Sequence, residues 1–153
     1  MDFFELIGSR KSVRSFDERA VEEEKLRKIL DAVSTAPSAG NLKAYEITVV
    51  RELVQKKLLV AAATGQSFVA EAPVVLVFSA DPSKSASRYA QRGQLYAVQD
   101  ATIACAYAQL AATGLGLENC WVGALDEGAV AEAVDLKKGL RPIALLPIGY
   151  ERQ

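Results

Sequence analysis

The stretch YAVQDATIACAYAQLAATGL, residues 96–115, decides the architecture that the sequence predicts. It is rich in alanine and apolar on nearly every side, and the glycines Gly114 and Gly116 close it, so we expect a long helix at the centre of the fold. Small side chains such as Ala104 and Ala108 would let neighbouring elements approach this helix closely. The stretch therefore predicts a buried central helix around which the rest of the chain packs.

Helical and strand patterns alternate on both sides of this helix. Helical patterns cover residues 3–7, 21–34, 53–63 and 127–134, and strand patterns cover residues 45–51, 74–78, 121–123 and 143–146. The run at 74–78 is continuously apolar, which is typical of a strand buried on both faces. These elements predict an α+β or α/β sandwich, with one sheet and helices over it, in a single domain that spans residues 1–153.

Composition narrows the classes of partner. The net charge of −1 supplies no basic field for nucleic acid, so we expect no DNA or RNA partner. The apolar run at residues 101–117 is interrupted by polar residues and shorter than the roughly 20 residues of a transmembrane helix, so no membrane span is expected. The first residues lack the positive start of a secretory signal. We therefore expect a cytoplasmic protein in which Cys105 and Cys120 are reduced thiols.

The chain contains no histidine. Histidine triads, histidine-ligated metals and imidazole acid–base catalysis are therefore excluded, and we expect no metal site.

The first candidate site is a basic corner directly after the opening helix, SRKSVR at residues 9–14. Arg10, Lys11 and Arg14 place three cations within five residues, with hydroxyl groups at Ser9 and Ser12. A phosphate group is bound by such a set, because guanidinium forks, a point charge and short hydroxyl donors all complement its oxygens. The alternative is a solvated basic turn that caps the negative end of the helix, and composition alone favours that alternative.

Two further segments are candidates. In APSAGN, residues 36–41, Ser38 and Asn41 offer short polar groups, and Gly40 permits close backbone approach to a flat ligand. In CWVGA, residues 120–124, Gly123 lies at a strand end, where ligands often bind in α/β sheets. The alternatives are a plain turn for the first segment and a core role for Trp121 in the second.

The order of these segments resembles that of FMN-dependent nitroreductases, close to the shorter members of that superfamily. The resemblance is carried by RKSVRSF at residues 10–16, APSAGN at 36–41, AP at 72–73, WVG at 121–123 and LLPIGY at 145–150, so it spans nearly the whole chain. It implies a nitroreductase-like α+β fold with one central, mostly antiparallel sheet flanked by helices. It also implies an intertwined homodimer with two flavin sites, each built from both subunits.

The resemblance assigns the basic corner to the FMN phosphate. The family's Arg-x-Ser-x-Arg/Lys segment binds that phosphate and maps onto Arg10, Ser12 and Arg14, with Lys11 adjacent. Many relatives complete this site with a cation from a C-terminal tail, and here Arg152 is the candidate for that role.

The resemblance assigns the second and third segments to the flavin ring. The family's Pro-Ser-x-x-Asn loop maps onto Pro37, Ser38 and Asn41, and the glycine beside the reactive face of the ring maps onto Gly123. Relatives usually carry Gln-Pro-Trp after the asparagine, whereas this chain carries Leu-Lys-Ala-Tyr. Lys43 is therefore an additional candidate for the flavin site.

The implied activity needs no catalytic side chain, because the flavin carries the chemistry. We expect ping-pong turnover in which NAD(P)H reduces FMN and leaves before a nitroaromatic, quinone or similar electron-poor acceptor binds. One alternative is a related enzyme of other chemistry, such as reductive dehalogenation or flavin cleavage. That chemistry would need a lid, and residues 81–88 are the one candidate segment. The other alternative is a non-catalytic domain that binds flavin or nucleotide.

Overall fold

The structure is a computed structural model that describes all residues, 1–153, and it contains one four-stranded sheet with helices on both faces. The strands are β1 (Tyr45–Val50), β2 (Val74–Ala80), β3 (Glu118–Asn119) and β4 (Arg141–Gly149). The helices are α1 (Phe3–Ser9), α2 (Glu23–Ser34), α3 (Leu53–Ala62), α4 (Phe68–Glu71), α5 (Pro82–Tyr89), α6 (Gly93–Gly114) and α7 (Glu127–Ala133). Short 3₁₀ turns at Ala39–Asn41 and Ala90–Arg92 follow α2 and α5.

The sheet has the strand order β1-β2-β4-β3, and every neighbouring pair is antiparallel. All of β2 is buried, as its apolar run predicts. Its side chains alternate between two cores, because successive residues of a strand point to opposite faces. Val75 and Val77 pack with α3, α4 and α7, whereas Leu76 and Phe78 pack with α2 and α6. The predicted α+β fold with one antiparallel sheet flanked by helices is therefore confirmed.

The central helix α6 begins at Gly93, three residues before the predicted start, and ends at Gly114. Ala104, Ala108 and Ala112 are completely buried between α2 and the sheet. Their small side chains let the helix lie close to its neighbours, so the predicted central position is confirmed. No helix, α6 included, has the length and apolarity needed to cross a membrane.

The predicted strand at residues 121–123 is wrong. Only Val122 pairs with β4, through two main-chain hydrogen bonds of 2.9 Å with Leu145. The edge strand is instead formed by Glu118 and Asn119, which pair with the end of β4. These two polar residues lack the apolar alternation that marks a strand in sequence, which explains why the prediction shifted to the apolar residues that follow.

Residues 81–88, the candidate lid segment, are not an irregular loop, since most of them belong to α5. Pro82 occupies the first turn of this helix, a position that proline favours because its fixed φ suits the helix and its missing N–H is not needed there. Cys105 and Cys120 are both free and buried, and burial raises the pKa of the Cys105 thiol.

The crossing of α5 and α6 is tight at Gly93. A Cβ atom at Gly93 would lie 2.7 Å from the main-chain nitrogen of Ala86, and the Ser85 hydroxyl donates a hydrogen bond of 2.6 Å to the Gly93 carbonyl. The atoms that would clash with this Cβ atom belong to the main chain of α5, which cannot move aside as a flexible side chain would.

We therefore expect Gly93→Ala to lower the free energy of unfolding by about 1–3 kcal/mol, the usual cost of overpacking. The matched control is Gly128→Ala in α7, where an added Cβ atom would have its closest contact at an ordinary 3.5 Å. That control should be neutral or stabilising by up to about 1 kcal/mol, because alanine favours a helix interior. Urea unfolding at equal protein concentrations measures both variants, and equal stabilities would contradict the tight crossing.

Candidate functional site

The basic corner begins at Ser9, the last residue of α1, and its residues 10–14 run along the outer edge of the sheet. Ser12 forms a parallel bridge with Asn119, and the main-chain N–H of Val13 donates to the Asn119 carbonyl at 3.0 Å. Val13 is buried, and extended backbone alternates its side chains, so Ser12 and Arg14 point outward. The local structure thus displays the polar side chains of the predicted phosphate segment on the surface.

Two of the three cations in the basic corner have no partner within the chain. Arg10 and Arg14 are exposed and form neither an ion pair nor a hydrogen bond. Lys11 differs, since its Nζ lies 3.1 Å from a carboxylate oxygen of Glu151, and the hydrogen bond to Glu151 raises the pKa of Lys11. The structure therefore leaves two guanidinium groups free in the exposed segment that carries Ser12.

An acidic groove of about 350 Å³ borders the basic corner. Burial raises the pKa of Glu118 in its wall, although the charge of Lys11 acts in the opposite direction. The residues that line the groove are Asp17, Arg19, Gly116, Glu118, Tyr150, Glu151 and Gln153. Because its carboxylates repel anions, a phosphate group is expected on the side of Arg10 and Arg14 rather than in this groove.

Arg152 lies beside the basic corner, but its guanidinium group is already bound. Nη2 of Arg152 donates to the Phe16 carbonyl at 3.1 Å and lies 3.2 Å from Oε1 of Glu71. The main-chain N–H of Arg152 donates to the Ser15 carbonyl at 3.1 Å. The same carboxylate of Glu71 accepts the Phe16 N–H at 3.2 Å. Arg152 and Glu71 together therefore fix the backbone that directly follows Arg14.

The PSAGNLK loop, residues 37–43, connects α2 to β1 in an irregular conformation. Gly40, Asn41 and Lys43 all have positive φ, at 61°, 57° and 48°. The Ser38 hydroxyl accepts the Lys43 N–H at 3.1 Å, which ties the two ends of the loop together. Pro37 and Asn41 are exposed, whereas Ser38 and Lys43 are half-buried.

Asp100 in α6 anchors this loop. Its buried carboxylate accepts the Ala39 N–H and the Ala44 N–H, each at 3.2 Å. Sequence reasoning missed this residue, although a lone carboxylate in an apolar helix was the available signal, because a buried charge needs a partner. Glu71 was missed as well, and no signal in its local sequence marks its role.

Gly123 follows the bridge between Val122 and Leu145 and is exposed. A Cβ atom added at Gly123 would contact only the Trp121 ring, at 3.4 Å or more. Trp121 itself is half-buried and packs against the core, in agreement with the core role considered for it. Leu145 and Gly149 are four residues apart on β4, so Gly123 and the basic corner lie on one edge of the sheet, about 14 Å apart.

The basic corner and the PSAGNLK loop lie at diagonally opposite corners of the sheet. The loop leads into Tyr45, which pairs with Ala80 and, through it, with Arg141 at the start of β4. The basic corner flanks β3, whose Glu118 pairs with Gly149 at the end of β4. On β2 these two positions are level with Ala80 and Val74, six residues or about 20 Å apart along the strands. Four strand spacings separate β1 from the basic corner, about 19 Å across the sheet, so the diagonal is about 28 Å. Within one chain, the basic corner, Arg152 and Gly123 therefore lie at one edge of the sheet. The PSAGNLK loop lies at the opposite edge.

Comparison with known proteins assigns this arrangement to a family. A profile of the Nitroreductase family matches residues 7–65 and 54–150. The chain is 30% identical to FMN reductase [NAD(P)H] of Bacillus subtilis over 158 residues, which cover 94% of this chain and 64% of that protein.

Solved structures show the same fold. A nitroreductase family protein from Clostridium novyi superposes with a TM-score of 0.91 at 30% identity, covering 100% of this chain and 87% of that one. An FMN-dependent nitroreductase from Clostridium difficile superposes with a TM-score of 0.87 at 28% identity, covering 99% and 88%. The sheet topology, the order of the motifs and these matches agree, and the chain belongs to the nitroreductase family.

Proposed function

We propose that the basic corner binds the phosphate of FMN and that the chain passes electrons from NAD(P)H to an electron-poor acceptor. The relatives named above include an FMN reductase that uses NAD(P)H and an FMN-dependent nitroreductase, and this chain is accordingly an FMN- and NAD(P)H-dependent oxidoreductase. The observation that carries the phosphate assignment is the pair of unpartnered guanidinium groups at Arg10 and Arg14, two positions before and two positions after the exposed Ser12. That donor set fits a phosphate dianion.

The diagonal arrangement supports a site that two subunits share. The basic corner and the PSAGNLK loop are too far apart in one chain for a single FMN molecule to touch both. A second copy of the chain would supply the missing half of each site, and two-fold symmetry would then create two equivalent sites.

Exposed apolar side chains on α1 and α6 supply a surface for such a dimer. Phe3, Phe4 and Tyr107 are 61%, 77% and 38% exposed. Phe3 and Tyr107 line a groove of about 470 Å³, together with Leu6, Ala32, Thr35, Leu110 and Ala111. An apolar surface of this kind is commonly covered by a partner.

Within the shared site, the residues of the chain bind and orient. Arg10, Ser12 and Arg14 of one subunit hold the phosphate, with Lys11 beside them, while Gly123 leaves the adjacent face of the ring open. Bound FMN supplies the redox chemistry, as a hydride acceptor and electron donor.

The partner subunit contributes the edge of the ring site through its PSAGNLK loop. Pro37, Ser38 and Asn41 would line the ring, and Lys43 adds a cation in the same loop. Arg152 acts on the phosphate site through the backbone of residues 15–16 rather than by direct contact. Donor and acceptor then use the one open face in turn, which supports ping-pong turnover with a nitroaromatic, quinone or similar acceptor.

The alternative chemistry that needs a lid gains no support. The candidate lid segment is α5, which is packed tightly against α6 at Gly93.

Absorbance and steady-state kinetics test the activity. The purified protein should be yellow, and NADH or NADPH should bleach it in the absence of an acceptor. Initial rates measured at several acceptor concentrations should give parallel double-reciprocal lines, because donor and acceptor never occupy the site together. If the protein holds FMN but neither donor bleaches it, the chain is a flavin-binding domain without this activity. Intersecting double-reciprocal lines would refute ping-pong turnover.

The phosphate assignment is tested by Arg10→Ala. Loss of one charge-assisted hydrogen bond should weaken FMN binding by about 10- to 150-fold. Fluorescence titration of apoprotein with FMN measures the affinity, and riboflavin, which lacks the phosphate, should bind both proteins equally. The matched control is Arg27→Ala, another exposed arginine without an ion pair. Unchanged FMN affinity in Arg10→Ala would overturn the assignment.

Subunit complementation tests the shared site. One variant carries Arg10→Ala and Arg14→Ala. The other carries Gly40→Val, which is strained at φ 61° and places a Cβ atom 2.7 Å from the Tyr89 hydroxyl. Each variant alone should fail to retain FMN. Random exchange of equal amounts should restore about a quarter of the wild-type sites, since half of the dimers are mixed and each mixed dimer has one intact site. Mixed dimers that form, as seen by native mass spectrometry, but retain no FMN would exclude a shared site.

A further inference from the structure

A second group of exposed cations lies where α5 meets α6. Arg88 and Tyr89 are the last two residues of α5, Arg92 directly precedes α6, and Tyr96 lies in the first turn of α6. We refer to these four residues as the Arg–Tyr cluster. The two tyrosine rings pack edge to face with centroids 5.0 Å apart. Nε of Arg92 donates to the Tyr96 hydroxyl at 2.9 Å, which orients its guanidinium group. Arg88 and Arg92 are exposed, and neither pairs with a carboxylate.

The backbone that presents this cluster is strained and tightly packed. Ala90 has φ 49° and ψ −126°, a conformation that costs free energy for a residue with a side chain. The adjoining Gly93 permits main-chain contact with α5, and the Ser85 hydroxyl locks the crossing. Strain of this kind persists where the surrounding structure enforces it, and it concentrates at ligand sites.

The cluster adjoins the PSAGNLK loop. A Cβ atom at Gly40 would lie 2.7 Å from the Tyr89 hydroxyl and 3.3 Å from Nη1 of Arg88. If the loop lines the flavin ring, the Arg–Tyr cluster of the same subunit lies close to the ring on which the donor stacks its nicotinamide.

We propose that the Arg–Tyr cluster binds the phosphate and adenine end of the pyridine dinucleotide donor, an inference that rests on the function proposed above. Guanidinium groups recognise phosphate oxygens through paired donors, and a tyrosine ring offers a face for a purine. In the proposed shared site, the FMN whose ring this loop lines has its phosphate on the basic corner of the other subunit, so these two arginines are not needed for it. Their phosphate is therefore that of a second ligand, the pyrophosphate of either donor or the additional 2′-phosphate of NADPH.

The test is the double variant Arg88→Gln and Arg92→Gln, with Arg27→Gln as the charge-matched control. Because each lost charge-assisted hydrogen bond in a solvated site weakens binding, we expect the KM for the donor to rise by about tenfold or more. FMN content and kcat should stay within about twofold of wild type, since the variant removes binding that the ground state and the transition state share equally. The wild-type KM should also rise with salt more steeply than that of the double variant.

Comparison of the KM changes for NADH and NADPH distinguishes which phosphate of the donor the cluster binds. An equal rise in KM for NADH and NADPH supports recognition of the pyrophosphate, whereas a rise for NADPH alone supports recognition of the 2′-phosphate. Unchanged KM for both donors, or an equal change in Arg27→Gln, would overturn the proposal. The single variants Arg88→Gln and Arg92→Gln serve the same test if the double variant does not fold.

Calorimetry separates this proposal from the proposed function. Wild-type protein should bind 2′-phospho-ADP-ribose or ADP-ribose, which lack the nicotinamide, and the double variant should bind them about tenfold more weakly. If neither dinucleotide bleaches the flavin but this difference in binding is found, the proposed activity is wrong while the binding role of the Arg–Tyr cluster is supported. Equal binding by the two proteins overturns the proposed role of the cluster, even if NAD(P)H reduces the flavin.

Discussion

The close packing of α6 on β2 and β4 is the constraint on which the rest of the structure depends. Three completely buried alanines, Ala104, Ala108 and Ala112, form the contact, so the helix backbone lies near the sheet. Protein interiors are close-packed, and larger side chains there would push the helix and the sheet apart. The same helix carries Asp100, which anchors the PSAGNLK loop, and begins at Gly93, which sets α5 in place. Displacement of α6 would therefore disturb one half of the proposed flavin site together with the Arg–Tyr cluster.

The antiparallel sheet separates the two halves of that site, and this separation has a simple origin. The PSAGNLK loop precedes the first strand and the basic corner lies alongside the last edge strand. An antiparallel order of β1-β2-β4-β3 places those positions at opposite ends of a diagonal. No local rearrangement of either segment closes a diagonal gap of about 28 Å. Association of two chains would form the proposed site without such a rearrangement, and the exposed apolar residues of α1 and α6 offer a surface for it.

Much of the fold could be predicted from the sequence, because its main elements have strong periodic patterns. The buried strand β2, the helix α6 and the alternation of elements follow from hydrophobic spacing alone. The failures occur where structure depends on contacts between distant residues. The edge strand Glu118–Asn119 exists because β4 offers free main-chain groups, which no local pattern records. Likewise, the sequence predicted the cluster of cations in the basic corner. The partners of Lys11 and Arg152 could not be predicted, because they depend on how the two ends of the chain meet.

The contrast between Lys11 and Arg152 shows how such long-range contacts change the chemistry of a motif. Lys11 forms one ion pair with Glu151, and both side chains are substantially exposed, at 58% and 40%. An exposed pair of this kind contributes little to stability, so an arriving dianion can recruit Lys11 at small cost. Arg152 is different, since its guanidinium bonds to the Phe16 carbonyl and to Glu71 while its backbone bonds to Ser15. Releasing it would leave the Phe16 carbonyl without a donor and loosen the segment that carries Arg14. Of the two cations beside the free arginines, Lys11 is therefore the one able to move toward a phosphate, and Arg152 is the one that keeps the segment in place.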